Sequence, residues 1–335
     1  MKNLDGVSDY ELEYQRKINI ILEENISLKG FYAFMMNDKS ISTVYVYLKY
    51  INNFMKCIHK PVTELNVDDF SGYMLKIQKG QNGTRTTSSY RIAVYSALNM
   101  YGRYLKSRHY LSENPMEDMQ RPKAIVSSKT IEKREKAYLT TDEIKTYMAN
   151  VIEGVGNDDS IARQLEWRER DLAIITIFLN TGIRCSALVK LDVDNIDFEK
   201  KILSVVDKES KYNIYEISDD VLDVIKKWLR KRNEMIPGSE VKALFISNRK
   251  TRMSRSSVQR LVEKYGATIQ GKHMSPHKLR ATYGTQLYNA TGDIYFVQHC
   301  LKHNSPKTSE LYVRGNKNTQ TKKASEIMGK LISDH

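Results

Sequence analysis

The stretch "SPHKLRATYG", residues 275–284, opens with the marks of a helix N-terminus: Ser275 as the cap and Pro276 at the first helical position. On such a helix His277 and Arg280 stand three residues apart and project from one face of the first turn. A cation there meets the positive end of the helix dipole, which is unfavourable unless an anion lies beside it. The pair predicts an anion-binding helix end, and the rest of the chain bears on which anion.

The charge distribution narrows the choice. The 335 residues carry a net +13, and the excess is uneven: residues 242–335 hold 17 Lys and Arg against 5 Asp and Glu, while residues 1–120 hold 15 against 13. A chain that concentrates its positive charge around an anion-binding helix is expected to meet a polyanion, with nucleic acid first among them. No apolar run approaches the ~18 residues of a membrane span. "MKNLDGVSDYELEYQ" lacks the character of a signal peptide, so no membrane association is expected. Cys57, Cys185 and Cys300 are odd in number and far apart, which fits a reducing cytoplasm rather than a disulfide framework.

Working outward from residue 275, the pattern is mainly α with a small β-sheet. "SRSSVQRLVEKYGATI" and "VLDVIKKWLRKRNEM" space their apolar residues as amphipathic helices, and "ERDLAIITIFLNTG" reads as a strongly apolar helix ended by Gly182. "CSALVKL" starts another helix, and "YLTTDEIKTYM" is a helix signal that opens this domain. "DFEKKILSVVDKESKYNIYEIS" alternates and is rich in Ile, Val and Tyr, predicting a hairpin or three-stranded sheet, with "ALFISN" as a further short strand. Upstream, "ELEYQRKINIILEEN", "STVYVYLKYINNFMKCIHK", "VDDFSGYMLKIQKG" and "TSSYRIAVYSALNMYGRYLKSRH" predict four helices of a compact domain over residues 1–115. Two prolines, a Ser-Ser pair and dense charge over residues 113–136 predict an interdomain linker at 116–136, leaving 137–335 as the second domain.

Residues able to carry chemistry are scattered through that second domain. Arg184 follows the helix-ending Thr-Gly in "TGIRCSAL", a place where arginines are as a rule surface or salt-bridging residues. Lys208 lies in "VVDKESKYN", at the expected hairpin turn, with Lys211 three residues on. In "QHCLKHNSPKTSELYVRG", His299, Cys300 and His303 invite a zinc reading, but Cys300 lies off the line of the two histidines and no second cysteine is near. Tyr312 is one of 21 tyrosines and is unremarkable alone.

Taken in order, Arg184, Lys208, His277, Arg280, His303 and Tyr312 resemble the boxes of the phage-integrase family, the tyrosine recombinases. "TGIR", "HKLR", "KH" and the following tyrosine match its Arg, His-x-x-Arg, third-box histidine and nucleophile positions, with spacings similar to those of Xer-type members. The resemblance runs from about Leu139 to the C-terminus. It extends upstream, where the helices around "STVYVYLKYINNFM" and "TRTTSSYRIAVYSALNMYGRYL" look like the family's core-site DNA-binding domain. Ala187, Ala281 and Lys302 depart from the family pattern of glutamate, a second histidine and glycine. At the last of these, glycine would adopt a positive φ cheaply.

The resemblance implies a site-specific recombinase with an N-terminal helical core-binding domain and a catalytic domain. It implies strand cleavage through a 3′-phosphotyrosine at Tyr312, with Arg184, Arg280 and His303 on the phosphate, His277 taking the tyrosine proton and Lys208 as general acid. No metal or other cofactor is expected. A type IB topoisomerase shares this chemistry, and a non-catalytic DNA-binding protein shares the fold. The chain starts close to its first helical domain, so no extra arm-binding domain is expected, and a Xer-like resolvase, an inversion enzyme or a simple mobile-element integrase fits.

Further DNA contacts are expected from Arg249, Lys250, Arg252 and Arg255 at the start of one helix, and from Arg85, Thr86, Thr87 and Arg91 at the start of another. Near the end, Ala324, Ile327, Met328, Leu331 and Ile332 form one apolar helical stripe. It can fold back in cis or dock on a neighbour, and docking in a tetramer on DNA is the expectation.

Overall fold

The computed structural model describes residues 9–80, 86–125, 138–206 and 212–302. The chain divides into two compact units, Met1–Val126 and Ser127–His335. Lys208, Lys211, His303, Tyr312, Arg85 and the apolar stripe of residues 324–332 lie outside the described residues. Among the described residues, no helix is long and apolar enough to cross a membrane.

The first unit contains α1 (Asp9–Glu24), α2 (Lys29–Met36), α3 (Ile41–Ile58), α4 (Val67–Lys79) and α5 (Ser88–Ser107). Its core gathers Val44, Leu48, Ile51 and Phe54 of α3, one face at helical spacing, against Val94, Leu98, Tyr101 and Leu105 of α5. The acids at the start of α4 belong to a reciprocal cap. The Asn66 side chain accepts from the Asp69 N–H at 3.1 Å, and the Asp69 carboxylate accepts from the Asn66 N–H at 3.0 Å. Thr87 caps α5 by accepting from the Tyr90 N–H at 3.2 Å.

The sequence pattern predicts four helices here, and α2 makes a fifth. "KGFYAFMM" is short and has a glycine at its second position, so its local signal is weak. Tertiary packing supplies the rest: Phe31 is fully buried, with ring centroids 5.0 Å from Tyr101 and 5.5 Å from Tyr104. The expected linker also starts inside this unit. Met116 is buried in its core, and the Tyr95 hydroxyl donates to the Met119 carbonyl at 2.7 Å. Gly102 makes room for this segment, because a Cβ there would lie 1.9 Å from the Asn114 side-chain oxygen.

The second unit runs α6 (Thr141–Glu153), α7 (Asp158–Glu166), α8 (Arg168–Thr181), α9 (Cys185–Leu188), β1 (Ile196–Asp197), β2 (Ile202–Val206), β3 (Tyr212–Glu216), α10 (Asp219–Met235), α11 (Arg255–Gly266), α12 (Pro276–Thr291) and α13 (Ile294–Cys300). Ala173, Ile174, Ile175, Ile177 and Phe178 of α8 are all fully buried. A helix apolar on every side belongs at the centre, and α8 packs against α6, α10 and α12. The strands form an antiparallel sheet in the order β1-β2-β3, with Leu203 opposite Tyr215 and Val206 opposite Tyr212.

The strand expected over "ALFISN" is replaced by two isolated bridges, Asp192 with Ala243 and Ile246 with Arg252. Ala243, Leu244, Phe245 and Ile246 are all buried, so the segment lacks the one-sided alternation of a sheet strand. It runs through the core instead, where the Trp228 indole donates to the Leu244 carbonyl at 2.9 Å. The helix α7, which the apolar pattern does not announce, is capped by Asn157 and buries Gln164 rather than an aliphatic stripe.

Candidate active site and DNA-facing residues

The site is assembled from two helix ends. At the first, α8 stops at Thr181 and Gly182 takes the left-handed conformation, φ 58°. A Cβ at Gly182 would lie 2.4 Å from the Tyr283 ring and 2.9 Å from Leu301, so both backbone angle and space call for glycine. The Thr181 hydroxyl holds the turn, donating to the Ile177 carbonyl at 2.6 Å and accepting from the Ile183 N–H at 3.2 Å. Ile183 is fully buried, and Arg184 emerges as the residue preceding α9.

The second helix end is α12, begun as its sequence predicts by Ser275 as cap and Pro276 in the first turn. Leu279 faces the core while Arg280 is only 4% exposed, an uncommon depth for a guanidinium. Arg280 donates from one terminal nitrogen to the Gly182 carbonyl and from the other to the Leu301 carbonyl. One side chain thus ties the turn that delivers Arg184 to the end of the segment that precedes His303. His277 reaches the surface one turn away, with part of its ring enclosed. That enclosure, and next the Arg280 charge, hold its pKa below the ordinary histidine value.

The surrounding groups separate in kind. Tyr283 lies beside Cys300 and is pushed well above the usual tyrosine range, chiefly by burial and then by that thiol, which makes it a poor nucleophile. Cys185, next to Arg184, is pushed up to about 11 by burial, with the nearby Arg255 charge opposing. Lys302 adopts φ 52° with its ammonium 5.9 Å from the Tyr215 ring centroid. It therefore takes, without being glycine, the left-handed angle for which the family pattern uses glycine. Among the described residues, no three of His, Cys, Asp and Glu are grouped to hold a metal ion.

The residues expected to face DNA also fall into classes. Arg249 and Lys250 are exposed at the tip of a tight turn, and Arg255 opens α11 behind the Ser254 cap. Arg252, by contrast, is engaged within the protein: it donates to the Val189 carbonyl at 3.1 Å and the Leu191 carbonyl at 3.0 Å, and pairs with Asp192. In the first unit the Thr86 hydroxyl donates to the Ile77 carbonyl at 2.7 Å. Arg91 is half-buried, and its Nε has no hydrogen-bond partner among the described residues.

Sequence reasoning passes over two groups that build the site from behind and a third, Arg170, near the opposite end of α8. Thr282, fully buried one turn past Lys278, accepts from the Leu139 N–H at 2.9 Å, and Gln286 donates to the Leu139 carbonyl at 2.9 Å. Arg170 is hidden in an apolar helix, where the charged pair Arg170–Asp171 is itself the signal that could have exposed it.

The arrangement pairs a buried arginine with a histidine at a helix end, beside a second arginine at a glycine turn, which suits a phosphodiester. The model of the phage integrase family matches residues 137–319. The chain belongs to that family, the tyrosine recombinases. It is a site-specific DNA strand transferase of Xer-like type, which cleaves and rejoins duplex DNA. It is 32% identical to the tyrosine recombinase XerC of Shewanella amazonensis over 251 residues, which is 74% of this chain and 76% of that protein. Over 292 residues it is 26% identical to XerC of Pseudomonas putida, covering 85% of this chain and 90% of the relative. In fold it is similar to the XerH site-specific recombinase bound to palindromic difH substrate in a post-cleavage complex. That likeness has a TM-score of 0.68 at 17% identity and spans 93% of this chain and 88% of the other.

Proposed function

We propose that Tyr312 is the nucleophile and that Arg184, Arg280, His277, Lys208 and His303 serve it. The Tyr312 oxygen attacks the scissile phosphorus while His277 takes its proton, since a phenol with a pKa of ~10 is weakly nucleophilic unassisted. Negative charge grows on the non-bridging oxygens, where Arg184, Arg280 and His303 donate to it. The planar fork and permanent charge of arginine suit that task. The bond to the 5′-oxygen breaks as Lys208 supplies a proton to it. The 3′-phosphotyrosyl ester keeps the energy of the broken bond, so attack by another 5′-hydroxyl rejoins the strand without ATP or metal.

The observation that carries this reading is Arg280, buried and bonded to the carbonyls of Gly182 and Leu301. Cations at a helix start are tolerated where an anion is received, and His277 beside it stays neutral enough to accept a proton. Arg249, Lys250 and Arg255, with Arg85, Thr86, Thr87 and Arg91 in the first unit, contact the duplex beyond the cleaved phosphate. The enzyme works as a tetramer on two sites, each C-terminal stripe docking on a neighbour in a closed ring. Its compartment is the cytoplasm, where three free thiols persist.

The test is Tyr312→Phe on a nicked suicide duplex. Covalent capture should vanish while site binding persists. An adduct that survives a denaturing gel in the phenylalanine variant would pass the role to another tyrosine, with the exposed Tyr295 the next candidate.

A further inference from the structure

We infer that Arg170, remote from the reacting groups, is a positioning residue that holds the basic tip of residues 248–250 in place for DNA. This rests on the DNA-facing reading of Arg249 and Lys250. The tip is a tight turn whose base is the bridge between Ile246 and Arg252, below which the Met253 N–H donates to the Phe245 carbonyl at 3.1 Å. Within it the Ser247 N–H donates to the Thr251 carbonyl at 2.7 Å, the Lys250 N–H donates to the Ser247 carbonyl at 2.8 Å, and Lys250 closes the turn at φ 58°. One bridged pair with a left-handed lysine and two exposed cations is marginal by itself.

Two arginines brace its two arms. Arg252 ties one arm to the Val189 and Leu191 carbonyls and to Asp192. Arg170, on α8 and 7% exposed, donates from Nη1 to the Ile246 carbonyl at 3.0 Å and to the Asn248 side-chain oxygen at 3.4 Å. The orientation of Arg170 is itself held. Its Nε and Nη2 sit 2.9 and 2.8 Å from one Asp171 oxygen, and the guanidinium lies 4.3 Å over the Trp167 ring. The second Asp171 oxygen accepts from the Tyr265 hydroxyl at 2.7 Å, with the Lys264 ammonium at 3.5 Å.

A buried ion pair gains little over a well-packed apolar pair of the same volume, because both charges lose water. Orientation is what the pair supplies. A guanidinium gripped along one edge by a carboxylate presents its other edge in a fixed direction, and here that direction is the tip. Lysine has the charge but not the two edges. A like-charged pair such as Arg249 and Lys250 needs an external brace to stay where a phosphate will find it.

The experiment measures affinity for a short mixed-sequence duplex as a function of salt, using the full chain. Four proteins are compared: the unaltered chain, Arg170→Lys, the pair Arg249→Gln with Lys250→Gln, and all three together. Each phosphate contact contributes about 0.9 to the slope of log affinity against log salt, so the glutamine pair should lower it by up to about 1.8. Arg170→Lys should lower the slope in the same sense, and should change nothing further in the glutamine background. A smaller folded fraction shifts the intercept and leaves the slope, so general destabilisation reads differently.

Equal losses from Arg170→Lys in both backgrounds, or lost affinity at unchanged slope, would overturn the inference. A glutamine pair that leaves the slope unchanged would instead remove the DNA-facing reading of the tip, and the inference with it. Should Arg170→Lys not fold, Tyr265→Phe keeps the core volume and loosens Asp171 alone. It should give the same non-additive loss at smaller size, and an untouched slope there overturns the inference.

Discussion

The buried guanidinium of Arg280 donates to the carbonyl oxygen of Gly182, two residues ahead of Arg184. The two arginines are thereby linked through backbone, so a change at the glycine turn reaches both. Gly182 sits at φ 58° with the Tyr283 ring where a Cβ would go. Gly182→Ala should cost about 1–2 kcal/mol for the left-handed backbone alone, with the steric conflict added. Denaturant melting should show that loss, and cleavage under conditions where the variant is fully folded should still be slowed through the displaced carbonyl. An alanine variant with unchanged cleavage would show that the Arg280–Gly182 bond does not hold the arginines in register.

As the proposed proton acceptor, His277 is expected to set the acid limit of the reaction. Its pKa lies below the ordinary value, from enclosure of the ring and then from Arg280, so the folded chain holds this proton less firmly than the unfolded one. Between the folded pKa and about 6.5 the unfolded chain binds more protons. The contribution of this ring to stability is therefore complete above about 6.5 and is lost as pH falls toward the folded value. Single-turnover cleavage should likewise stay level from alkaline pH down to about 6.5 and decline only below it. A ring titration followed by NMR gives the midpoint directly, and a midpoint at or above the ordinary histidine value would contradict this assignment.

At Lys302 the backbone, rather than the charge, is the feature to test. A lysine at φ 52° carries a penalty of about 1 kcal/mol that glycine avoids, while its contact over Tyr215 returns a fraction of that. Lys302→Gly should raise the melting temperature of the second unit slightly, and Lys302→Ala, which keeps the penalty and loses the ring contact, should lower it. Equal behaviour of the two variants would mean that the left-handed angle is not maintained in solution.

How much of the fold and site is legible in the sequence depends on range. The cap of α12 is readable because Ser275 and its partner Lys278 lie three residues apart. α8 is readable because a long apolar run ended by glycine suits a buried helix better than a loop or a surface strand. The helix α2 is not, since Phe31 owes its place to Tyr101 and Tyr104, some seventy residues away. Arg252 shows the same limit at the candidate site. In sequence it is one more cation in "SNRKTRMSR", and only folding brings it the carbonyls of Val189 and Leu191. Thr282 and Gln286 likewise meet Leu139 across most of the domain, so nothing local marks them as the brace behind His277 and Arg280.

The proposed general acid belongs to the stretch between two paired strands. β2 and β3 are paired out to Val206 and Tyr212, and Lys208 and Lys211 lie between them in sequence, outside the described residues. Lys208 and Lys211 are three residues apart in sequence, and Lys208 is the one proposed to protonate the departing 5′-oxygen. Lys208→Ala should slow cleavage of an ordinary duplex by roughly 10²–10⁴-fold, the usual weight of general acid catalysis, whereas Lys211→Ala should have a small effect. On a duplex with sulfur in the 5′-bridging position, the leaving group departs without a proton, and the Lys208→Ala enzyme should recover most of its rate. Recovery in Lys211→Ala instead would transfer the role to that lysine. A Lys208→Ala enzyme that stays slow on the sulfur substrate would show that Lys208 acts on binding or folding and not on the proton.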